Sequence, residues 1–196
     1  MTSIIDEIRK AFDIEIALIG GLAVIAHGIG RSTLDVDFLI HVNGFPARAS
    51  EFIGLLTRVV PSCFEIRKVD GSKMLGDPFP YDIIFLTDRT GEFPRVDFIF
   101  PNYKWELEGL RMAKPVPGVS FPVLSIPYLI AMKLRAGGPN DHSDVVQLFN
   151  LLSAEEKEQA RKLAILIRRD KNLAELLNAR RLIPTEPEDA DQLLRS

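Results

Sequence analysis

In the first part of the chain, short apolar runs alternate with turns. This pattern predicts the strands of one sheet and helices that pack on it. Apolar residues at positions 4, 5, 8, 11 and 12 have helical spacing and follow a capping pattern of Ser3 and Asp6. A helix at 47–60 is predicted to end at Pro61 because proline stops helices. Strands are predicted over 15–19, 34–41, 63–69, 81–86 and 95–100, and a short helix over 21–27. This order predicts an α+β fold with a mixed β-sheet and helices on one face.

After about residue 120 the pattern becomes helical. Ser125 and Pro127 predict a helix start, because proline is well tolerated in the first turn. Amphipathic helices are predicted over 140–152, 154–169 and 173–181. We therefore predict an α/β core over 1–120, an all-helical C-terminal part over 121–183 and a frayed tail over 184–196.

Composition excludes several classes of protein. The 196 residues are 46% hydrophobic and 26% charged, which argues against disorder and fibrous repeats. The net charge of −3 provides no global positive field for nucleic acid. Cys63 is the lone cysteine, so an intrachain disulfide is excluded and a reducing compartment is expected. With no signal peptide and no apolar run long enough for a membrane, we expect a cytoplasmic location.

Two acids on an apolar strand are the main chemical signal. Asp35 and Asp37 are spaced i, i+2, so their side chains lie on the same face of a strand. Asp97 is the only acid within another apolar strand, and three converging carboxylates would form a site for hard cations such as Mg²⁺. Asp82 is a rival for the third acid, but it opens its strand whereas Asp97 lies in mid-strand. The alternative for Asp35 and Asp37 is an exposed strand edge.

A glycine pair precedes this strand. Gly20 and Gly21 stand where a strand becomes a helix, so bare backbone N–H groups there could receive phosphate oxygens. Arg31, Ser32 and Thr33 lead into the acidic strand and could hold the further phosphates. Ordinary turn chemistry for the glycines, and a surface position for Arg31, are the competing interpretations.

These residues together resemble the signature of the DNA polymerase β-like nucleotidyltransferase superfamily: a glycine turn, a short helix, an Asp-x-Asp strand and a later third acid. Small bacterial members are similar, including nucleotidyltransferase toxins of abortive-infection toxin–antitoxin pairs. Lys133, followed by the Gly137-Gly138 turn and by Asp141 and Asp144, resembles a further segment of those members. The family often has a serine in the glycine turn, which this chain lacks.

The resemblance implies a metal-dependent nucleotidyltransferase that moves a nucleoside monophosphate from an NTP to an acceptor hydroxyl and releases pyrophosphate. It implies two Mg²⁺ ions, with Mn²⁺ as a substitute, on Asp35, Asp37 and Asp97, and Lys133 near the nucleotide. An antitoxin partner would be expected if the protein is a toxin, whereas RNA, protein and aminoglycosides stay open as acceptors. The alternatives are a catalytically silent interaction protein on the same scaffold and, with less support, a metal-dependent phosphodiesterase.

Overall fold

The computed structural model describes residues 1–71 and 80–179, and its five strands form one mixed sheet. The strands are β1 (Ile14–Leu18), β2 (Asp35–Val42), β3 (Phe64–Val69), β4 (Ile83–Asp88) and β5 (Arg95–Ile99). Their order in the sheet is β1-β2-β5-β4-β3. The β2–β5 pair is parallel, and the three other pairs are antiparallel. The parallel pair therefore lies in the middle of the sheet, where both strands are hydrogen-bonded on each side.

Eight helices accompany the sheet within the described residues. They are α1 (Thr2–Ala11), α2 (Gly20–Ala26), α3 (Ala49–Val59), α4 (Lys104–Arg111), α5 (Ile126–Ala136), α6 (Pro139–Leu151), α7 (Ala154–Leu166) and α8 (Asp170–Ala179). None of them reaches the length and apolarity that a membrane crossing needs.

Aromatic side chains join the first and third helices to one face of the sheet. Phe38 of β2 and Phe98 of β5 are both fully buried, and their rings lie 5.9 Å apart. Phe52 of α3 packs edge-on against Phe98 at 6.5 Å, and Phe12 packs against Phe52 at 5.5 Å. Because strand side chains alternate between faces, this packing leaves the acids of β2 on the opposite face.

The helical part is attached to β1 by backbone hydrogen bonds. The Leu18 N–H donates to the Pro122 carbonyl at 2.8 Å, and the Leu124 N–H donates to the Leu18 carbonyl at 3.1 Å. The segment that precedes α5 thus extends the edge of the sheet beside the strand that leads into Gly20. Helices α5 and α7 pack together, and α8 packs against α6 and α7.

The predicted fold class is confirmed: an α+β protein with a mixed sheet, followed by helices. The sequence analysis did not predict α4, which is only eight residues long. The Glu106 carboxylate, 1% exposed, caps that helix by accepting hydrogen bonds from the N–H groups of Asn102 and Tyr103. The prediction also started α3 at residue 47, two residues before its observed start.

Some of the sequence predictions cannot be compared with the structure. The frayed tail over 184–196 and the last residues of the helix predicted over 173–181 lie outside the described residues. The domain boundary at residues 120 and 121 stays a prediction.

Candidate active site

The pairing of β2 with β5 brings the three predicted acids onto one face of the sheet. Asp37 lies directly beside Asp97 in the parallel register, and Asp35 lies beside Arg95. Asp35 and Asp37 share a face because they are two residues apart in one strand. Their convergence therefore follows from strand register.

Arg95 neutralises part of this acidic cluster. Its Nε donates to Asp97 Oδ1 at 2.8 Å, and its Nη2 contacts Asp97 Oδ2 and Asp35 Oδ2, both at 3.0 Å. The sequence analysis did not single out Arg95, although a signal was present. Arg95 precedes Asp97 by two residues in a strand, so both side chains had to lie on one face.

Asp37 is the acid whose negative charge is least compensated by nearby positive charge. Among the described residues, no hydrogen bond or ion pair reaches its carboxylate. Burial, together with the charges of Asp97 and Asp35, raises the pKa of Asp37 to about 6, although Lys133 and Arg95 oppose that rise. Burial also raises the pKa of Asp97, a residue that is 5% exposed, against the lowering effect of Arg95. The site is thus rich in carboxylate oxygens and short of positive charge at Asp37.

The donor chemistry suits Mg²⁺, since hard cations prefer carboxylate oxygens. As the side chains stand, however, no three His, Cys, Asp or Glu residues in the described part of the chain are grouped to hold a metal ion. In this arrangement Arg95 engages Asp35 and Asp97. A cation at Asp35 and Asp37 is compatible with the residues present, and Asp97 would join after leaving Arg95. The two Mg²⁺ ions stay a prediction.

The rival acid Asp82 lies outside this cluster. Its carboxylate accepts a hydrogen bond from the Gly71 N–H at 2.8 Å. Its backbone carbonyl accepts a hydrogen bond from the Phe100 N–H at 3.0 Å. Since Asp97 is paired with Phe85, the alternation along β4 assigns Asp82 to the other face of the sheet.

The two predicted glycines lie against the site. Gly20 has a φ of +64°, and a Cβ built on it would lie 1.9 Å from Asp37 Oδ2. Only a residue without a side chain leaves room for that carboxylate. A Cβ on Gly21 would lie 2.7 Å from Thr33 Oγ1. At both glycines, therefore, a neighbouring side chain lies so close to the backbone that no Cβ would fit.

A cavity of about 570 Å³ opens between the sheet and the helical part. Of the predicted site residues, its wall contains Gly20, Gly21, Arg31, Thr33, Asp35, Asp37 and Lys133. The rest of the wall comes from apolar and polar residues that the sequence analysis did not assign to a site: Ile19, Tyr81, Ile83, Ile99, Leu129, Met132, Arg135, Ala136, Gly138, Pro139, Asn140 and Asp141. Ser32 and Asp97 are not in this wall, and Ser32 is exposed.

Lys133 lies at the centre of a buried ionic network that spans the cleft. Its Nζ is 2.7 Å from Asp141 Oδ1 and 2.8 Å from Asp144 Oδ2. Arg31, in the loop before β2, contacts the same Asp144 oxygen at 2.5 Å. The sequence analysis left a surface position open for Arg31, whereas the structure places it partly buried against Asp144. Lys133 and Asp144 are 7% and 3% exposed and join the core to α6, and Asp141 lies in the first turn of that helix.

Comparison with known proteins supports the fold only. No protein-family model and no curated protein matches this sequence. The solution structure of the antibiotic-resistance factor ANT(2'')-Ia is similar, with a TM-score of 0.53 and 14% identity over 92% of this chain and 94% of that one. A crystal structure of an antigenic nucleotidyltransferase-like protein from Paracoccidioides brasiliensis has a TM-score of 0.42 and 21% identity over 85% of each chain.

The raised pKa of Asp37 predicts a pH-dependent stability effect of Asp37→Asn. The folded protein holds a proton on Asp37 up to about pH 6, whereas the unfolded chain releases it near pH 4, so metal-free stability falls as pH rises through that window. Asp37→Asn should therefore raise the free energy of unfolding by roughly 1–3 kcal/mol at pH 8, and the gain should vanish below about pH 4. Urea unfolding in EDTA measures both values. Asp13→Asn, at an exposed acid, is the control, and a destabilised Asp37→Asn at pH 8 would contradict the expectation.

The network around Lys133 predicts that replacement of this lysine lowers the free energy of unfolding considerably. Lys133→Ala leaves the buried Asp144 with one cationic partner fewer, so we expect the free energy of unfolding to fall by about 3–5 kcal/mol. Lys162→Ala, at a lysine that is 73% exposed, is the matched control and should change it by less than about 0.5 kcal/mol. Chemical denaturation measures both variants. Equal small losses would show that the Lys133 network does not stabilise the fold.

Proposed function

We propose that this protein is a metal-dependent nucleotidyltransferase, which moves a nucleoside monophosphate from an NTP to an acceptor hydroxyl with release of pyrophosphate. The observation that carries the proposal is the juxtaposition of Asp35, Asp37 and Asp97 on two paired strands. The similarity of the fold to ANT(2'')-Ia is compatible with it. The proposal thus depends on the acids, and the fold adds only that such a site has a suitable scaffold.

Each side chain has a separate proposed task. Asp35 and Asp37 would bind Mg²⁺, and Asp97 would complete the site and accept the proton of the attacking hydroxyl. The bound cations would supply stabilisation of the charge that develops on the phosphate oxygens. The poorly compensated Asp37, with its pKa raised to about 6, gains most from a nearby positive charge.

Arg95 acts in this proposal as the counter-ion of the resting site. Its guanidinium joins Asp97 to Asp35 with distances of 2.8–3.0 Å. The ion pair with a bidentate arginine favours the charged form of Asp97 and opposes the rise in its pKa that burial causes. Release of Asp97 by Arg95 would therefore make it a stronger base for the proton of the acceptor hydroxyl.

The cavity provides room for the nucleotide. Its volume of about 570 Å³ lies within the range of small-molecule sites. Gly20, Gly21, Arg31 and Lys133 belong to its wall, and in this proposal the triphosphate lies against them beside the acids. Apolar residues such as Ile83 and Met132 also line the cavity and suit a nucleobase.

The charge of the wall bears on the acceptor. The described lining contains three acids and three basic residues: Asp35, Asp37, Asp141, Arg31, Lys133 and Arg135. This balance gives neither an excess of negative charge to attract a polycationic aminoglycoside nor an excess of positive charge to attract RNA. We therefore favour a protein hydroxyl as acceptor. A toxin role would rest on such an acceptor, and growth arrest that requires Asp35 would support it.

One observation favours the alternative, a catalytically silent interaction protein on the same scaffold. Arg95 already engages two of the three acids, and no described acidic group is arranged to hold a metal as it stands. A silent protein would keep these ion pairs in the presence of Mg²⁺. Its cellular effect and partner binding would survive replacement of all three aspartates by asparagine.

The direct test is an NTP assay with Mg²⁺ that measures pyrophosphate release and label transfer to total RNA or protein. We expect Asp35→Asn and Asp37→Asn each to lower the rate by about a hundredfold or more, since each removes a proposed cation ligand. Asp82→Asn is the matched control and should retain the rate. An inactive wild-type protein, or equal rates in all variants, would contradict the proposal. Label transfer with no pyrophosphate released would also exclude it, whereas NTP or RNA hydrolysis would favour a phosphodiesterase.

A further inference from the structure

The absence of a side chain at position 21 has a cause that lies outside the backbone. Gly20 has a φ of +64°, but the φ of Gly21 is not in the left-handed region. An ordinary L residue could therefore adopt the backbone conformation of Gly21. Something other than the backbone must account for glycine at this position.

The Thr33 side chain fills the space that any side chain at position 21 would need. A Cβ on Gly21 would lie 2.7 Å from Thr33 Oγ1, 2.8 Å from its Cβ and 3.2 Å from its Cγ2. Contacts of this kind are too short to be tolerated without movement. Positions 21 and 33 are thus coupled: one side chain fits between the two backbones, and here Thr33 provides it.

The loop that carries Thr33 is held in place by ionic contacts. Arg31, two residues earlier, is paired with the buried Asp144 of α6, which also contacts Lys133. Two residues later, Asp35 is the first residue of β2. Thr33 is therefore fixed between an anchored arginine and the acidic strand, beside the Gly21 backbone.

The hydroxyl of Thr33 is available to a ligand. Thr33 lines the cavity together with Asp35 and Asp37. In the part of the chain that is described, its hydroxyl has no hydrogen-bond partner. A hydroxyl can donate one hydrogen bond to a phosphate oxygen, and bonds to charged groups are stronger than neutral ones.

We propose that Thr33 Oγ1 donates a hydrogen bond to a phosphate oxygen of the NTP and so supplies the hydroxyl that the Gly20-Gly21 turn cannot carry. This inference rests on the proposed function, because it names one contact to the triphosphate of that substrate. The sequence pattern left the phosphate contact of the turn to backbone N–H groups and offered Thr33, with Arg31 and Ser32, for the further phosphates. In this proposal the Thr33 hydroxyl instead shares the contact at the turn itself.

The first test removes the hydroxyl without changing the shape of the side chain. Thr33→Val should weaken binding of α,β-methylene-ATP with Mg²⁺ by about tenfold to a hundredfold, because one hydrogen bond to a charged oxygen is lost. Inorganic triphosphate should lose affinity by a similar factor, since the contact does not involve the base. Thr33→Ser keeps the hydroxyl and should bind within about threefold of the wild type. Calorimetric titration measures the affinities, and thermal unfolding checks that each variant is folded.

The second test moves the hydroxyl from position 33 to position 21. Gly21→Ser alone should lower the melting temperature, because its Cβ meets Thr33. The double variant Gly21→Ser/Thr33→Gly removes the Thr33 Cβ at 2.8 Å together with the hydroxyl, so it should regain stability relative to Gly21→Ser. It should also bind the ATP analogue about tenfold better than Thr33→Gly. Wild-type affinity in Thr33→Val, or a double variant that binds no better than Thr33→Gly, would overturn the inference and leave the proposed function intact. Failure of the wild-type protein to bind either probe would instead contradict the proposed function.

Discussion

The parallel pairing of β2 with β5 is the constraint on which the rest of the site depends. It places Asp37 beside Asp97 and Asp35 beside Arg95, on the face that the aromatic core leaves open. Burial raises the pKa of Asp37, and repulsion from the like charges of Asp97 and Asp35 adds to that rise. Apolar packing of Phe38 and Phe98 on the opposite face fixes the strands, so the carboxylates cannot separate without loss of core contacts.

Positive charge reaches this cluster from two directions. Arg95 comes from β5 itself, whereas Lys133 comes from α5 and lowers the pKa of Asp37 through its charge. Lys133 is in turn held by Asp141 and Asp144, and Asp144 also holds Arg31. The helical part therefore completes the electrostatics of the core, besides forming the other wall of the cavity. An anionic nucleotide and a cation would therefore both change the charge around the same group of acids, Arg95 and Lys133.

Much of the site could be predicted from local patterns. The i, i+2 spacing of Asp35 and Asp37 determines a shared face in any strand, and the apolar neighbours of Asp97 indicate a strand interior. The turn at Gly20 and Gly21 could also be predicted, since a glycine pair often marks a turn. These inferences needed only the period of a strand and the composition of its neighbours.

The remaining features depend on contacts between distant segments, which one sequence does not show. The pairing of β2 with β5 skips two intervening strands, and the link between Arg31 and Asp144 joins residues 113 positions apart. The coupling of Gly21 to Thr33 depends on how a loop folds back over a helix. Helix α4 was missed because it is short and relies on Glu106, whose capping role requires the three-dimensional fold.

The most direct measurement of the central claim is a crystal structure with Mn²⁺ and a nonhydrolysable NTP, with manganese located by anomalous scattering. We expect manganese about 2.1–2.2 Å from carboxylate oxygens of both Asp35 and Asp37, with the Arg95 guanidinium moved away from Asp35. Crystals with bound nucleotide but with the Arg95 ion pairs intact, and no anomalous signal at Asp35 and Asp37, would contradict it.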